Sequence, residues 1–410
     1  MTQKPQNRRA PLPCFDTMKT IKEWTVPVAL NKQQTEDFAI TVQFLSHYVG
    51  STGTFNTYRR ETERLLQWCW HIAIRNIGEL GREDMEDFVH FCQKPPKAWI
   101  GLKKPARFQK MDSERVPNPE WRPFVATVSK ADFKQGKRPD KAEYALSDGA
   151  IKELLAILSS FFNYLLQEDY IYRNPIALIR QKSKFIQKRQ GPPRIRRLSQ
   201  YQWRTVIEAA EAMADEHPER HERTLFMMSV LYSMYLRISE LAASDRWTPT
   251  MNDFYRDQDE LWWFTTVGKG NKQRDIAVSD ATLAALKRWR NHLGLPSSPS
   301  PGDDSPLMPK SKGKGPMTST THIRGIVQTC FDRSIETLQK QDETEEATAL
   351  MEVTVHWLRH TGISDDVKRR PREHVRDDAG HSSGAITDRY IDVELKERHK
   401  SAQGKAMKSD

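Results

Sequence analysis

Eighteen residues near the middle of the chain, QKSKFIQKRQGPPRIRRL at 181–198, carry seven Lys and Arg around Gly191-Pro192-Pro193. No helix continues through Gly-Pro-Pro, and no apolar period crosses this stretch. The residues on either side must therefore build separate cores, and 410 residues are enough for two. A strand lying against phosphates and a solvated linker both suit such a charge run.

Upstream, the pattern is helical. Phe38, Val42, Leu45 and Tyr48 recur at helical spacing and Gly50 ends the run. A second stripe runs from Tyr58 through Leu65, Leu66 and Cys69 to Ile72, and a third helix is expected over Arg82 to Cys92. From 97 to 145 prolines and lysines interrupt every period, which predicts a basic excursion between helices. Ser147 then reads as an N-cap before Ile151, Leu154, Leu155, Leu158, Phe162 and Leu165, and Asn174-Pro175 breaks the chain. Residues 1–34 are polar and Pro-containing, and are expected to form a flexible arm.

Downstream, Ser199 and Gln202 have capping-box spacing, and helices are expected to about Ala243. LWWFTTV and RDIAVS flank GKGNKQ and predict a β-hairpin, with helices resuming at Asp280. The fold class expected is mainly α in two domains, with a small antiparallel sheet in the second. Its boundaries are an arm at 1–34, a helical domain at 35–182, a linker at 183–198 and an α+β domain at 199–410.

Lys plus Arg is 64 and Asp plus Glu is 54, a formal charge of +10, which points to a polyanion partner. Four scattered cysteines argue against a disulfide scaffold and a cysteine zinc site. The N-terminus lacks the apolar stretch of a signal peptide, and the run Leu225 to Leu236 is too short to span a bilayer. A soluble, cytoplasmic, nucleoid-associated protein with no membrane partner is expected.

Six side chains carry the chemistry: Arg237, Lys269, His356, Arg359, His381 and Tyr390. Each has an ordinary reading: Arg237 pairs with Glu240, Lys269 is a turn lysine, and Tyr390 packs. His356 and His360 stand four apart, but without HExxH or a third ligand a zinc site is disfavoured. Together they can transfer a phosphoryl group without a metal. Guanidinium forks neutralise the pentacoordinate phosphate, a phenol attacks, a lysine protonates the leaving alkoxide, and histidines donate or shuttle protons.

The order and wording of these motifs resemble the tyrosine recombinase, or phage integrase, family. The match runs through LRISEL, the hairpin lysine, HWLRHT, GHSS and the tyrosine nine residues beyond, covering about 199–395. Residues 35–182 resemble the family's SAM-like core-binding domain more loosely. Tyr235 stands where the family commonly has Gly, Trp357 where it has a small or acidic residue, and Asp392 where it often has His.

The resemblance implies Tyr390 as nucleophile forming a 3′-phosphotyrosyl bond and Arg237 and Arg359 as phosphate clamps. Lys269 is then the acid, His356 an aid to proton transfer, and His381 a donor to the phosphate. It implies no cofactor or metal, double-stranded DNA as partner, a homotetramer passing through a Holliday junction, a mobile element as setting, and accessory DNA-bending or partner recombinase proteins. Lys182, Lys184, Lys188, Arg189, Arg194, Arg196, Arg197, Lys272 and Arg274 are the expected DNA-backbone contacts. Three other readings compete: a type IB topoisomerase, a DNA-binding protein without catalysis, and a metal-dependent nuclease. The last needs a carboxylate cluster, and Asp365-Asp366 and Asp377-Asp378 read as solvated helix faces.

Overall fold

A computed structural model describes residues 9–23, 29–112, 114–177, 179, 196–268, 270–388, 390 and 402–403. The chain divides into two compact units, Met1–Gln190 and Gly191–Asp410. The break falls at Gly191, inside the charged segment.

In the first unit, helices α1 (Lys32–Ser46), α2 (Thr52–Trp68), α3 (Arg82–Gln93) and α5 (Asp148–Gln167) enclose one core. Asn31 caps α1 in a capping box with Gln34, so the helix begins earlier than the Thr35 expected from the apolar period. Ser147 caps α5, and Asn174 closes a turn by accepting from the Ile176 backbone N–H. Helix α5 is long and apolar enough to cross a membrane by length and composition; its stripe, including Leu154, Leu158 and Phe162, is buried in this core.

One expectation is corrected here, and a second gains definite structure. Residues 9–23 are part of the core: Phe15 is fully buried and stacks on Phe38 at 5.0 Å. The buried Glu63 carboxylate holds them, accepting from the Cys14 and Phe15 backbone N–H groups and pairing with Arg107. Residues 97–145 are also tied in. Ile100–Gly101 (β1) pairs in parallel with Phe124–Val125 (β4), and Phe108–Met111 (β2) with Glu114–Pro117 (β3) antiparallel. A short helix, Lys130–Lys134 (α4), follows. The excursion has no hydrophobic period, yet Trp99, Ile100 and Phe124 supply enough apolar area to anchor it.

The second unit opens with α6 (Gln200–Glu216), whose Ser199–Gln202 capping box forms as the spacing predicts. Helix α7 (Pro218–Ser233) leads to the one-turn α8 (Ile238–Leu241). The hairpin forms as Trp262–Val267 (β6) and Gln273–Ala277 (β7), and a third antiparallel strand, Phe254–Arg256 (β5), joins its edge. The Gly268 N–H bonds to the Lys272 carbonyl at 2.9 Å, and Gly270 and Asn271 at the tip both take positive φ, 78° and 58°. Helices α9 (Asp280–His292), α10 (Thr320–Lys340), α11 (Thr344–Met351), α12 (Val355–Asp366), α13 (Arg372–Ala379) and α14 (Gly384–Asp388) complete it.

One glycine sets how α12 sits on α7. A Cβ built on Gly362 would lie 2.0 Å from the Tyr232 carbonyl oxygen, so only a residue without a side chain permits this approach. That crossing fixes Arg359 and His360, three and two residues earlier on α12.

Candidate active site

Arg237 is positioned by the exit from α7. Tyr235, two residues before it, has φ of 51°, the left-handed region that glycine enters without cost. Here the tyrosine is held there by burial beside Ile363, Val375 and Ala379 and by its hydroxyl, which donates to Asp366 and accepts from Arg370 at 3.2 Å. The turn delivers Arg237 to the N-cap of α8, where its backbone N–H donates to Glu240 at 2.8 Å.

Glu240 is fully buried and joins two arginines. Arg237 donates to it at 2.9 Å, and Arg274 from β7 donates through both terminal nitrogens at 2.9 Å each. Burial pushes the carboxyl up, but the Arg274 bonds and charge and the Arg237 bond and charge outweigh it and hold the group below its ordinary value. Two glycines admit this arrangement. A Cβ on Gly268 would meet Arg274, Glu240 and Arg237 at 3.1–3.4 Å, and one on Gly380 would meet the Arg274 side chain at 2.8 Å. Arg274, expected as an open phosphate contact, therefore has its donors committed to Glu240 and to the Asp378 carbonyl.

Arg359 is buried, and its hydrogen bonds to described residues go to the backbone carbonyls of Tyr235 and Ala379. Burial, then the Arg237 charge, push its guanidinium down to about 9, so it remains charged at neutral pH. Arg237 and Arg274 thus share the Glu240 carboxylate, Arg359 feels it only as a nearby charge, and positive charge predominates at the site.

Helix α13 ends at Gly380, whose φ is 62°. Gly380 N–H bonds to Asp377 and His381 N–H to Arg376, a Schellman closure that requires the glycine and places the histidine just beyond it. His381 Nδ1 sits 2.9 Å from Thr387 Oγ1, leaving Nε2 for the pocket. The Tyr390 phenol is 2.6 Å from His360 Nδ1, and its ring stacks on that of His381 at 5.6 Å. Burial, with the positive charges around it, pushes His381 down to about 4 and lowers His356.

Arg237, Arg274, His356, Arg359, His381 and Tyr390 line one open pocket of about 670 Å³, with the exposed Lys272 at its edge. Five of the six expected catalytic residues converge there; Lys269 lies outside the described residues. So do Lys182, Lys184, Lys188, Arg189 and Arg194, as well as Asp392. Arg196 is exposed and Arg197 half-buried at the start of the second unit.

Of the two acidic pairs, Asp377 is exposed as expected, but the other three carboxylates are not solvated faces. Asp365 accepts from Tyr232, Asp366 from Tyr235, and the buried Asp378 from Arg370 and the Ala277 backbone. Among the described residues no group of three His, Cys, Asp or Glu is arranged to hold a metal ion. His360 and Glu240 are the residues of the site that sequence reasoning passed over. Their signals were the His-x-x-x-His spacing and the capping spacing from Arg237.

A family model for the phage integrase family matches residues 196–397. The tyrosine recombinase XerC of Xanthomonas axonopodis pv. citri (strain 306) is 27% identical over 353 residues, covering 84% of this chain and 88% of that protein. XerC of Chlorobaculum parvum is 25% identical over 176 residues, 40% of this chain and 49% of that protein, so this alignment spans about half of that relative. A crystal structure of the XerH site-specific recombinase bound to a palindromic difH substrate, a post-cleavage complex, has the same fold. Its TM-score is 0.54 at 13% identity, covering 94% of this chain and 93% of that one. Motifs, fold and relatives agree, and the chain belongs to the tyrosine recombinase (phage integrase) family.

Proposed function

We propose that this protein is a site-specific DNA recombinase, cutting and rejoining DNA through a covalent tyrosyl intermediate. The observation that carries the reading is the pocket lined by Arg237, Arg274 and Arg359, with Glu240 engaging only the first two, beside a hydrogen-bonded phenol. A phosphodiester supplies the missing negative charge.

In this reading Arg237 and Arg359 bind the non-bridging oxygens, and the pentacoordinate phosphorane gains most from them because its charge is greatest. Tyr390 Oη attacks phosphorus, and the bond to the 5′-oxygen breaks. Lys269 gives that oxygen its proton, leaving a 3′-phosphotyrosyl ester and a free 5′-hydroxyl. His381 donates to a phosphate oxygen through Nε2, and His356 assists proton transfer from the pocket wall. Arg274 acts through Glu240, which aims Arg237. The ester conserves the bond energy, so the 5′-hydroxyl of a second duplex reverses the step with no external energy source or metal.

Exchange between two duplexes requires four such sites, hence a homotetramer on DNA and a Holliday junction. The second unit performs the chemistry, and the first, 35–182, is a second DNA-binding domain joined to it by the basic linker. Lys272, Arg196, Arg197 and the linker residues contact the backbone. Carriage on a mobile element, help from DNA-bending or partner recombinase proteins, and a nucleoid location complete the proposal.

The test uses two labelled duplexes carrying the DNA that flanks the gene, incubated with the protein in excess EDTA. Recombinant strands and four-way junctions are expected. Relaxation of supercoils by a monomer without exchange would establish the topoisomerase reading, and DNA binding with no covalent adduct the non-catalytic one. Loss of cleavage in EDTA that Mg²⁺ restores would establish the nuclease.

A further inference from the structure

We infer that His360 is the general base that takes the phenolic proton of Tyr390, an inference that rests on the strand-transfer reading above. His360 Nδ1 lies 2.6 Å from Tyr390 Oη, within the span of a short O–H···N bond. The contact joins two segments thirty residues apart in sequence, and both partners are fixed. His360 stands on α12, whose placement Gly362 dictates. The tyrosine is buried, with its ring stacked on His381 and its backbone N–H bonded to Thr387. His356, the imidazole to which proton transfer is otherwise assigned, has its ring 4.3 Å from that of His360, and it faces the open pocket.

The environment keeps His360 in the form a base requires. Burial first, then the His356 and Arg359 charges, push it down to about 4. The groups that face it are His356 and Arg359 on its own helix and Tyr390 and His381 from the C-terminal segment. None of these is a carboxylate. The neutral ring therefore presents an Nδ1 lone pair to the phenol, with its proton on Nε2. A free imidazole held this low is a weak base, and that weakness is conditional. A phosphodiester bound by Arg237 and Arg359 brings a negative charge into the pocket and raises the proton affinity of every histidine there. The base strengthens when its substrate arrives.

The Oη–H bond breaks and its proton passes to His360 Nδ1. The Oη electron pair forms the bond to phosphorus, the bond to the 5′-oxygen breaks, and that oxygen receives the proton of Lys269. On religation the imidazolium returns its proton to the departing phenolate.

Two measurements on the full chain test this. The first needs no DNA. In ¹⁵N-histidine NMR at neutral pH, the His360 signals, identified by their loss in His360→Asn, should show an unprotonated Nδ1 that shifts in Tyr390→Phe. A protonated Nδ1 would overturn the proposal whatever the DNA assays give. The second is the single-turnover rate of covalent adduct formation on a nicked duplex against pH. Asn puts an amide where Nδ1 stood and can hold the phenol without taking its proton. Wild type should be nearly flat from about pH 6 to about pH 9. His360→Asn and His360→Ala should be slower at neutral pH by a factor on the order of 10² to 10⁴. Their rates should climb with unit slope toward the phenol's own pKa of about 10, and added imidazole should partly restore His360→Ala. A His360→Asn rate equal to wild type, or a deficit that does not vary with pH, would reduce His360 to a positioning residue and overturn the proposal. If wild type forms no adduct at all, the strand-transfer reading fails first, and the NMR result still decides the pairing.

Discussion

Replacing Glu240 with Gln keeps the shape of the Arg237–Glu240–Arg274 cluster and removes its one negative charge. The carboxylate is 1% exposed and Arg274 10%, so the Arg274 pair is desolvated, whereas Arg237 is 29% exposed and its bond is partly screened. Breaking a buried pair while leaving the partner charge in place costs about 3–5 kcal/mol. In a unit of this size each kcal/mol shifts the melting temperature by about 2–4 °C, so the transition of the second unit should fall by on the order of 10 °C. The pH dependence has a definite sign. The folded carboxyl lies below its ordinary value of 4.5. Its stabilisation is therefore present above 4.5 and is lost as pH falls through the folded value. The gap between wild type and Glu240→Gln should be full at pH 7 and close in acid. Phosphate or sulfate, taking the place of the lost charge, should raise the melting temperature of the variant more than that of wild type. Differential scanning calorimetry of the full chain reads all three. A variant that melts within a degree of wild type at pH 7, or a gap unchanged in acid, would refute the view that Glu240 is the counter-charge of this site.

Other substitutions probe its supports. Gly362→Ala drives a methyl into the Tyr232 carbonyl and should destabilise the second unit by about 3 kcal/mol or more, read by chemical denaturation. Tyr235→Phe removes the hydroxyl shared with Asp366 and Arg370 and should cost about 1–3 kcal/mol by the same assay, while leaving the backbone turn in place. Lys269→Ala should cleave an ordinary phosphodiester more slowly by a factor on the order of 10² to 10⁴. It should cleave a 5′-bridging phosphorothiolate nearly as fast as wild type, since a thiolate leaves unprotonated. Rescue of Lys272→Ala instead would move the acid to Lys272.

The helices with a clean apolar period, α2 and α5, and those with a capping signal, α5 and α6, were legible in the sequence, as were the hairpin and the pocket residues. What the pattern hid depends on contacts far apart in the chain. Residues 9–23 look like a mobile tail because their anchor is Glu63, some fifty residues away. Strand β5 is three residues long, too short to show alternation. Arg274 looks like a surface cation until Glu240 and Asp378 are brought to it from two other elements. His360 shows locally only as the second His of His-x-x-x-His, which reads as metal spacing; its partner is thirty residues downstream. Tyr235 is the converse case, a departure from the family's glycine that the structure explains through its positive φ and its buried hydroxyl.

The central claim is that Tyr390 carries the DNA, and mass spectrometry of the trapped adduct tests it most directly. The protein is incubated with a nicked duplex whose cleaved flap diffuses away, then digested with protease and nuclease, and the modified peptide is sequenced. A nucleotide joined through its 3′-phosphate to Tyr390, with no adduct in Tyr390→Phe, is the predicted result. A 5′-linked nucleotide, a modification on any other side chain, or an adduct that persists in Tyr390→Phe would contradict the account.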